Sequence, residues 1–379
     1  MLLGFIRPLP DLFALLCAMV AHRWLWRMAA GTHWERYVRP ALVCSSVFVA
    51  AVLLLEIPDF RDILPNSPLV YWVRGGVICW AICLAGLCGS LFVTRRLDRA
   101  IPPDRREFLR LAKTAVMAAP VAVTGYGVFL ERRNIQLREV EIKIPGLAKD
   151  LDGLKIGQIT DLHCSPFLSP ADVANVVNRM NDLRPHLTVV TGDLITREGD
   201  PLDECIAELA KLRADAGVYG CLGNHEIYAE CEDYVTWQAA RKGMKFLRGQ
   251  RESLSFGSAK INLAGVDYQK MHGPYLRGAR NLMASDGSLN LLLSHNPDAY
   301  TVAKDQGWDL MLAGHTHGGQ VTVEYLQQHV NLARFYTKYV SGLYQEAGKS
   351  LYVSRGLGTV GAPMRLSAPP ELTLLKLRG

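Results

Sequence analysis

The chain has 379 residues, 49% of them hydrophobic and 21% charged, with a formal net charge of +6. That apolar content excludes an intrinsically disordered chain, and 33 Gly and 19 Pro without a period exclude a collagen-like or low-complexity one. Residues 1–130 hold 14 Lys and Arg against 8 Asp and Glu, so the whole surplus lies there and residues 131–379 balance.

That N-terminal charge flanks apolar runs rather than covering a globular face, which points to a bilayer and away from nucleic acid. Ala41–Leu55 and Gly75–Thr94 contain no charged residue, and a helix needs roughly 20 mostly apolar residues to cross the hydrocarbon layer. Leu12–Ala21 is weaker, bounded by Asp11, Arg23 and Arg27, and reads as a short span or an interfacial helix. Thr114–Leu130, with Pro120 inside, is a fourth candidate. Residues 1–134 are thus predicted to be a membrane region with three to four transmembrane helices at about 9–28, 40–57, 75–94 and 114–130.

Arg23, Arg27, Arg36 and Arg39 follow the first run, and Arg95 to Lys113 separate the third from the fourth; the loop between them carries Glu56, Asp59 and Asp62. The positive-inside rule keeps the two basic loops in the cytoplasm and, with four crossings, puts residues 135–379 outside it, on an inner membrane. Asp104-Arg105-Arg106-Glu107-Phe108-Leu109-Arg110 resembles an internal twin-arginine export signal and reads equally as basic residues ahead of an ordinary span.

From residue 135 short apolar strands alternate with amphipathic helices. Strands are predicted at Val140–Ile144, Leu154–Ile159, His186–Thr191, Gly217–Leu222, Leu289–Ser294, Asp309–Ala313, Ser350–Ser354 and Glu371–Leu377, with helices near Pro170–Met180, Pro201–Leu212, Tyr234–Lys242 and Pro297–Gln306. Within Val321–Gln345, the residues Phe335, Tyr336, Tyr339 and Tyr344 suit either a rim over a site or core packing. Of the nine cysteines, Cys164, Cys205, Cys221 and Cys231 lie in this part, at spacings that argue for no particular bond.

The chemistry stands at strand ends. Asp161-Leu162-His163, Gly192-Asp193-Leu194-Ile195-Thr196, Gly223-Asn224-His225-Glu226, His295-Asn296 and Gly314-His315-Thr316-His317 each follow an apolar strand. Ligands of open α/β sheets gather there. In extended backbone, residues two apart point the same way, so Asp161 with His163, and His315 with His317, can each aim two donors at one locus. Carboxylate, imidazole and amide donors together suit divalent Mn, Fe, Zn or Co.

Those five segments, in that order, resemble the calcineurin-like metallophosphoesterase superfamily, over about residues 138–379, and within it the bacterial membrane-tethered or twin-arginine-exported branch. The resemblance implies an α/β (α+β) catalytic domain at 135–379, a four-layer sandwich of two mixed sheets flanked by helices. It implies two divalent transition-metal ions. Asp161, His163 and His317 would hold one, Asn224, His295 and His315 the other, and Asp193 would bridge them. A metal-bridged hydroxide would attack phosphorus in line, with His225 and Asn224 as catalytic residues, His225 facing the leaving group. Arg355 and Arg365 are candidates for phosphate contact. Glu226 either orients His225 or caps the helix that follows. Thr196 stands where many relatives carry Asp or Tyr; it excludes a tyrosinate ligand and suits a part in orienting its neighbours.

The function that follows is a membrane-anchored phosphodiesterase or pyrophosphatase, for which a lipid-linked phosphoester is a fitting substrate. A non-catalytic scaffold on the same fold would be expected to have lost ligands, and a nuclease would need a basic surface that residues 131–379 lack.

Overall fold

The computed structural model describes residues 18–27, 30–31, 35–54, 67–100, 106–270, 273–325 and 328–379. The chain forms two compact units, residues 1–130 with 361–364, and residues 131–360 with 365–379.

The first unit is helical. Helices run over 18–27, Glu35–Leu54, Pro68–Ala100 and Arg106–Phe129. Two stretches, Pro68–Arg96 and Ala112–Arg133, are long and apolar enough to cross a membrane. The predicted span at 9–28 lies outside the described residues before residue 18, as does the end of the 40–57 span beyond Leu54. Asp104 and Arg105 of the twin-arginine-like segment lie outside them as well, and Arg106 opens a helix. Small side chains let the helices approach closely: Ala18, Ala21 and Ala81 are buried with Val49, Val77 and Leu84. Polar bonds cross between them, Ser45 Oγ meeting His22 Nε2 at 2.7 Å and accepting from Trp80 Nε1 at 2.5 Å. Val47, Phe48, Val121, Val123 and Phe129 face outward.

Among its described residues the second unit holds fourteen strands: β1 (Gln136–Lys143), β2 (Lys155–Ile159), β3 (Leu187–Thr191), β4 (Val218–Cys221), β5 (Met244–Phe246), β6 (Gln250–Phe256), β7 (Ala259–Gly265), β8 (Leu289–Leu293), β9 (Leu310–Ala313), β10 (Thr322–Tyr325), β11 (Gln328–Asn331), β12 (Gly342–Glu346), β13 (Lys349–Val353) and β14 (Glu371–Arg378). They make two six-stranded mixed sheets, ordered β1-β14-β2-β3-β4-β5 and β12-β13-β9-β8-β7-β6, and a small β10-β11 ribbon. Strands β2 to β5 are parallel, as are β7, β8, β9 and β13.

Two-residue periodicity explains the layers. Leu187 and Val189 of β3, Leu291 and Leu293 of β8, and Leu310 and Leu312 of β9 share one core between the sheets. Val190 turns the other way, onto the helices Pro170–Asp182 and Leu202–Leu209. Leu292, Met311 and Ala313 pack outward with Tyr300, Ala303 and Trp308. Strands buried on both faces read as unbroken apolar runs, which is why β3, β8 and β9 stand out in the sequence.

Five strands have no such signal. β5 has three residues; β6 (QRESLSF) and β12 (GLYQE) are polar sheet edges; β10-β11 stands apart from both sheets. The aromatic segment divides: Tyr339 is buried against Tyr300 and Tyr344, whereas Phe335 and Tyr336 are exposed.

Candidate metal centre

All five donor-bearing segments follow β2, β3, β4, β8 and β9, and the strands' parallel course delivers them to one edge. The loops stay tied beyond the sheet. Asp161 N donates to Gly192 O at 3.0 Å, His163 N to Asp193 O at 3.1 Å, and Gly314 N to His295 O at 3.2 Å.

Asp161, His163 and His317 form one cluster of potential ligands, and Asp193, His295 and His315 another, the donor atoms within each lying within 4.8 Å of one another. His163 Nε2 stands 3.1 Å from His317 Nε2, which is 3.4 Å from Asp161 Oδ1. Two ligands each about 2.0–2.1 Å from one ion are separated by about this much. Asp193 Oδ2 lies 3.0 Å from His295 Nε2 and 3.6 Å from His163 Nε2 of the other cluster. Asn224 is buried beside them, and its Oδ1 has no hydrogen-bond partner. A buried acceptor left unpaired costs about 1–3 kcal/mol, a cost that a cation there offsets. The donor set and this orphaned oxygen both fit divalent ions.

The backbone is bent to make the site. Asp161, His163, Asp193, His315 and His317 have φ of 51°, 46°, 56°, 76° and 52°. Side-chain-bearing residues rarely adopt this left-handed region, at about 1–3 kcal/mol each. Five such residues at one locus mark a functional constraint held in place by the rigid sheets. Close approach fixes two glycines as well. A Cβ on Gly223 would lie 2.1 Å from Asp193 Oδ1, and one on Gly314 2.1 Å from Asp161 Oδ2.

Several of the donors are oriented from behind. His295 Nδ1 donates to Thr191 O at 2.6 Å, which leaves Nε2 as the ligand nitrogen. Thr196 Oγ1 is 3.3 Å from His163 Nδ1, and Thr196 O accepts from His225 Nδ1 at 2.6 Å, so Thr196 orients two imidazoles. Asp161 accepts from His315 N at 3.0 Å and from the Thr160 hydroxyl at 2.7 Å. Glu226 settles the choice between its two readings. Fully buried, it accepts from Gly223 N at 2.7 Å, capping its helix, and also from Asp193 N at 3.0 Å and Leu194 N at 2.7 Å.

Burial drives the imidazoles of His163, His315 and His317 below their ordinary range, His315 to about 3, so they offer neutral lone pairs. For His295 burial is outweighed by the carboxylates of Asp193 and Asp161, which raise it to about 10. Burial also raises Asp161 to about 6. Asp193 is held well below the carboxylate range, since the His295 and His225 charges prevail over its burial.

His225 forms a further group of potential ligands with His163 and Asp193, its ring 4.6 Å from that of His163 and perpendicular to it. Arg355 is half-buried, its stem against Gly318 and its Nε 3.8 Å from Glu371 Oε2. Arg365 departs from expectation. It is fully buried, and its guanidinium is spent on carbonyl oxygens of its own chain, so it has no donor left for a phosphate. Two aromatic neighbours went unread in the sequence. Tyr228 is 5.4 Å from His225, three residues on along one short helix, a spacing that was available. Tyr268 is 5.4 Å from His315 and 6.0 Å from His295, beyond β7, which is not among the predicted strands. The four cysteines of this unit are free thiols.

Residues 154–319 match the family of calcineurin-like phosphoesterases. The chain is 32% identical over 287 residues to the uncharacterized metallophosphoesterase YkuE of Bacillus subtilis, an alignment covering 73% of this chain and 98% of that protein. It is 27% identical over 279 residues to phosphodiesterase YaeI of Escherichia coli, covering 72% and 99%. A third relative, from Bos taurus, is named transmembrane protein with metallophosphoesterase domain; there 28% identity extends over 375 residues, 93% of this chain and 81% of the relative. The chain thus belongs to the calcineurin-like metallophosphoesterases and is a metal-dependent hydrolase of phosphoric esters.

Proposed function

We propose that this enzyme hydrolyses phosphodiesters at a centre for two divalent ions, and that residues 1–134 anchor it in the inner membrane with the catalytic domain, 135–379, on the extracytoplasmic side. The observation that carries the reading is Asp193, whose carboxylate belongs to the His295–His315 cluster and also reaches to 3.6 Å from His163 of the other. Asp161, His163 and His317 would hold one ion, His295, His315 and Asn224 the other, and Asp193 would serve both. Bound there, divalent ions supply positive charge to phosphoryl oxygens and bring the pKa of a bound water down to about 7.

The protein does the rest. Two carboxylates against two divalent ions leave the site net positive, which suits a monoanionic diester. His225, its Nδ1 fixed on Thr196 O, presents Nε2 as the proton donor to the departing oxygen, a role typically worth about 10²–10⁴-fold. Asn224 adds its amide beside it, and Arg355 is the remaining basic side chain for a phosphate oxygen. Anchoring is supported by the two long apolar helices with outward-facing Val121, Val123 and Phe129, and its sidedness by the basic loops. A catalytic domain tethered to a bilayer favours a lipid-linked phosphodiester or pyrophosphate as substrate.

Asp193→Asn in the purified full-length protein tests the centre. Metal-dependent hydrolysis of bis-p-nitrophenyl phosphate should fall by more than the roughly 100-fold that loss of an outer-shell partner costs. Undiminished hydrolysis would refute the assignment.

A further inference from the structure

Arg365 has no part in the chemistry outlined above, yet it is among the largest fully buried side chains. Its Nε donates to Gly358 O at 3.1 Å. Nη1 donates to the carbonyls of His317, Arg355 and Ala368 at 2.9, 3.0 and 3.1 Å, and Nη2 to that of Gly356 at 3.3 Å. Nη2 also lies 3.2 Å from His317 Nδ1. A planar fork of five N–H groups is the one side chain able to serve so many acceptors at fixed angles.

What these acceptors carry gives the arrangement its meaning. Gly358 N donates to Asp161 O at 2.7 Å, and Leu357 N to the same oxygen at 3.2 Å. Gly356 is packed so tightly on Asp161 that a Cβ there would stand 2.4 Å from that of Asp161; one on Gly358 would stand 2.9 Å from that of His163. Arg365 therefore grips the turn bearing His317 with one face, and with the other the 355–358 loop that backs Asp161 and His163. All three are ligands of the same proposed ion. None belongs to the other cluster.

We propose that Arg365 is a positioning residue for one ion of the pair, setting the affinity of the Asp161–His163–His317 site while leaving the Asn224–His295–His315 site unaffected. The inference rests on the two-ion reading above. Burying a guanidinium costs desolvation and sets it against the like charge of a cation site, a cost its carbonyl partners offset only in part, so a role in geometry is what accounts for it.

The test is a Mn²⁺ titration of metal-stripped full-length protein, wild type against Arg365→Lys and Arg365→Met, read by bound metal per chain and by the spin-coupled signal of a paired manganese centre. Wild type should bind two ions; fewer than two would sink the two-ion reading and leave this inference without its premise, which counts against both. With two bound in wild type, one dissociation constant should rise about 10–100-fold in the variants and the other stay unchanged. The paired signal should vanish at two equivalents of metal, and excess Mn²⁺ should restore it together with hydrolysis. Wild-type affinities in a folded variant, or equal weakening of both ions, would overturn the proposal. So would failure of Arg365→Lys to fold, since Arg365 would then serve the fold before the ion.

Discussion

Glu226 shows how much of the site depends on a side chain that touches no reacting atom. Its carboxylate collects the backbone N–H groups of Gly223, Asp193 and Leu194, and so joins the β3 and β4 loops beneath the Asp193 carboxylate. Removing it strands three buried donors, each worth about 1–3 kcal/mol. Glu226→Ala should therefore lose about 3 kcal/mol or more, a fall of roughly 6–12 °C in Tm for a domain of this size. Glu226→Gln keeps one acceptor oxygen and should lose less. Thermal unfolding of both variants decides it; a Tm within a degree of wild type in Glu226→Ala would remove the anchoring role. The sequence leaves Glu226 open between two roles because it stands one residue after His225 and three after Gly223, so adjacency suits both. Arg365 is harder to read. Its partners are carbonyls spread over fifty residues, and nothing in residue type marks a carbonyl as needing a donor.

At the scale of elements, legibility follows burial. The strands that carry the donors are buried on both faces and announce themselves as apolar runs, and the donor residues follow within two to four positions, so the donor cluster and its scaffold are both legible in the sequence. Edge strands are different. β6 alternates polar residues toward water and pairs on one side alone, and with β6 unread the β6-β7 hairpin and the placement of Tyr268 go unread too. The helices of the first unit are legible for a third reason, length of apolar sequence without charge. Ala112–Arg133 carries the prediction that belongs here. Val121 is exposed near its middle, and a Lys at the centre of a spanning helix costs about 2.5–3.5 kcal/mol. Val121→Lys should lower the share of chains whose catalytic domain is translocated, measured with an alkaline phosphatase fusion after residue 379. An unchanged share would mean that this helix does not cross.

The molecule as a whole brings seven donors together from five loops on two sheets. In the absence of cations, the two carboxylates and four imidazoles among them face one another in a buried space, where His295 is raised and Asp193 held low. Ions that bind the folded state alone should stabilise it by about 2.7 kcal/mol at a free concentration 100 times Kd. Chelation should accordingly lower the Tm of the full-length protein by several degrees, and replacing the metal should restore it. A Tm indifferent to chelator and metal alike would show that the cluster holds nothing.

The pairing of β1 with β14 has a consequence for biosynthesis. β14 lies between β1 and β2, parallel to the first and antiparallel to the second, so two strands made early are separated by one made more than two hundred residues later. While the ribosome is still adding the segments before Glu371, β1 has no neighbour and β2 has an open flank. The first sheet can form only as a β2-β3-β4-β5 remnant. Closure over such a span is slow, and the half-built sheet offers a bare strand edge to other nascent chains. Hydrolytic competence should therefore arrive late and all at once, and a chain shortened before residue 371 should be degraded rather than work at reduced speed.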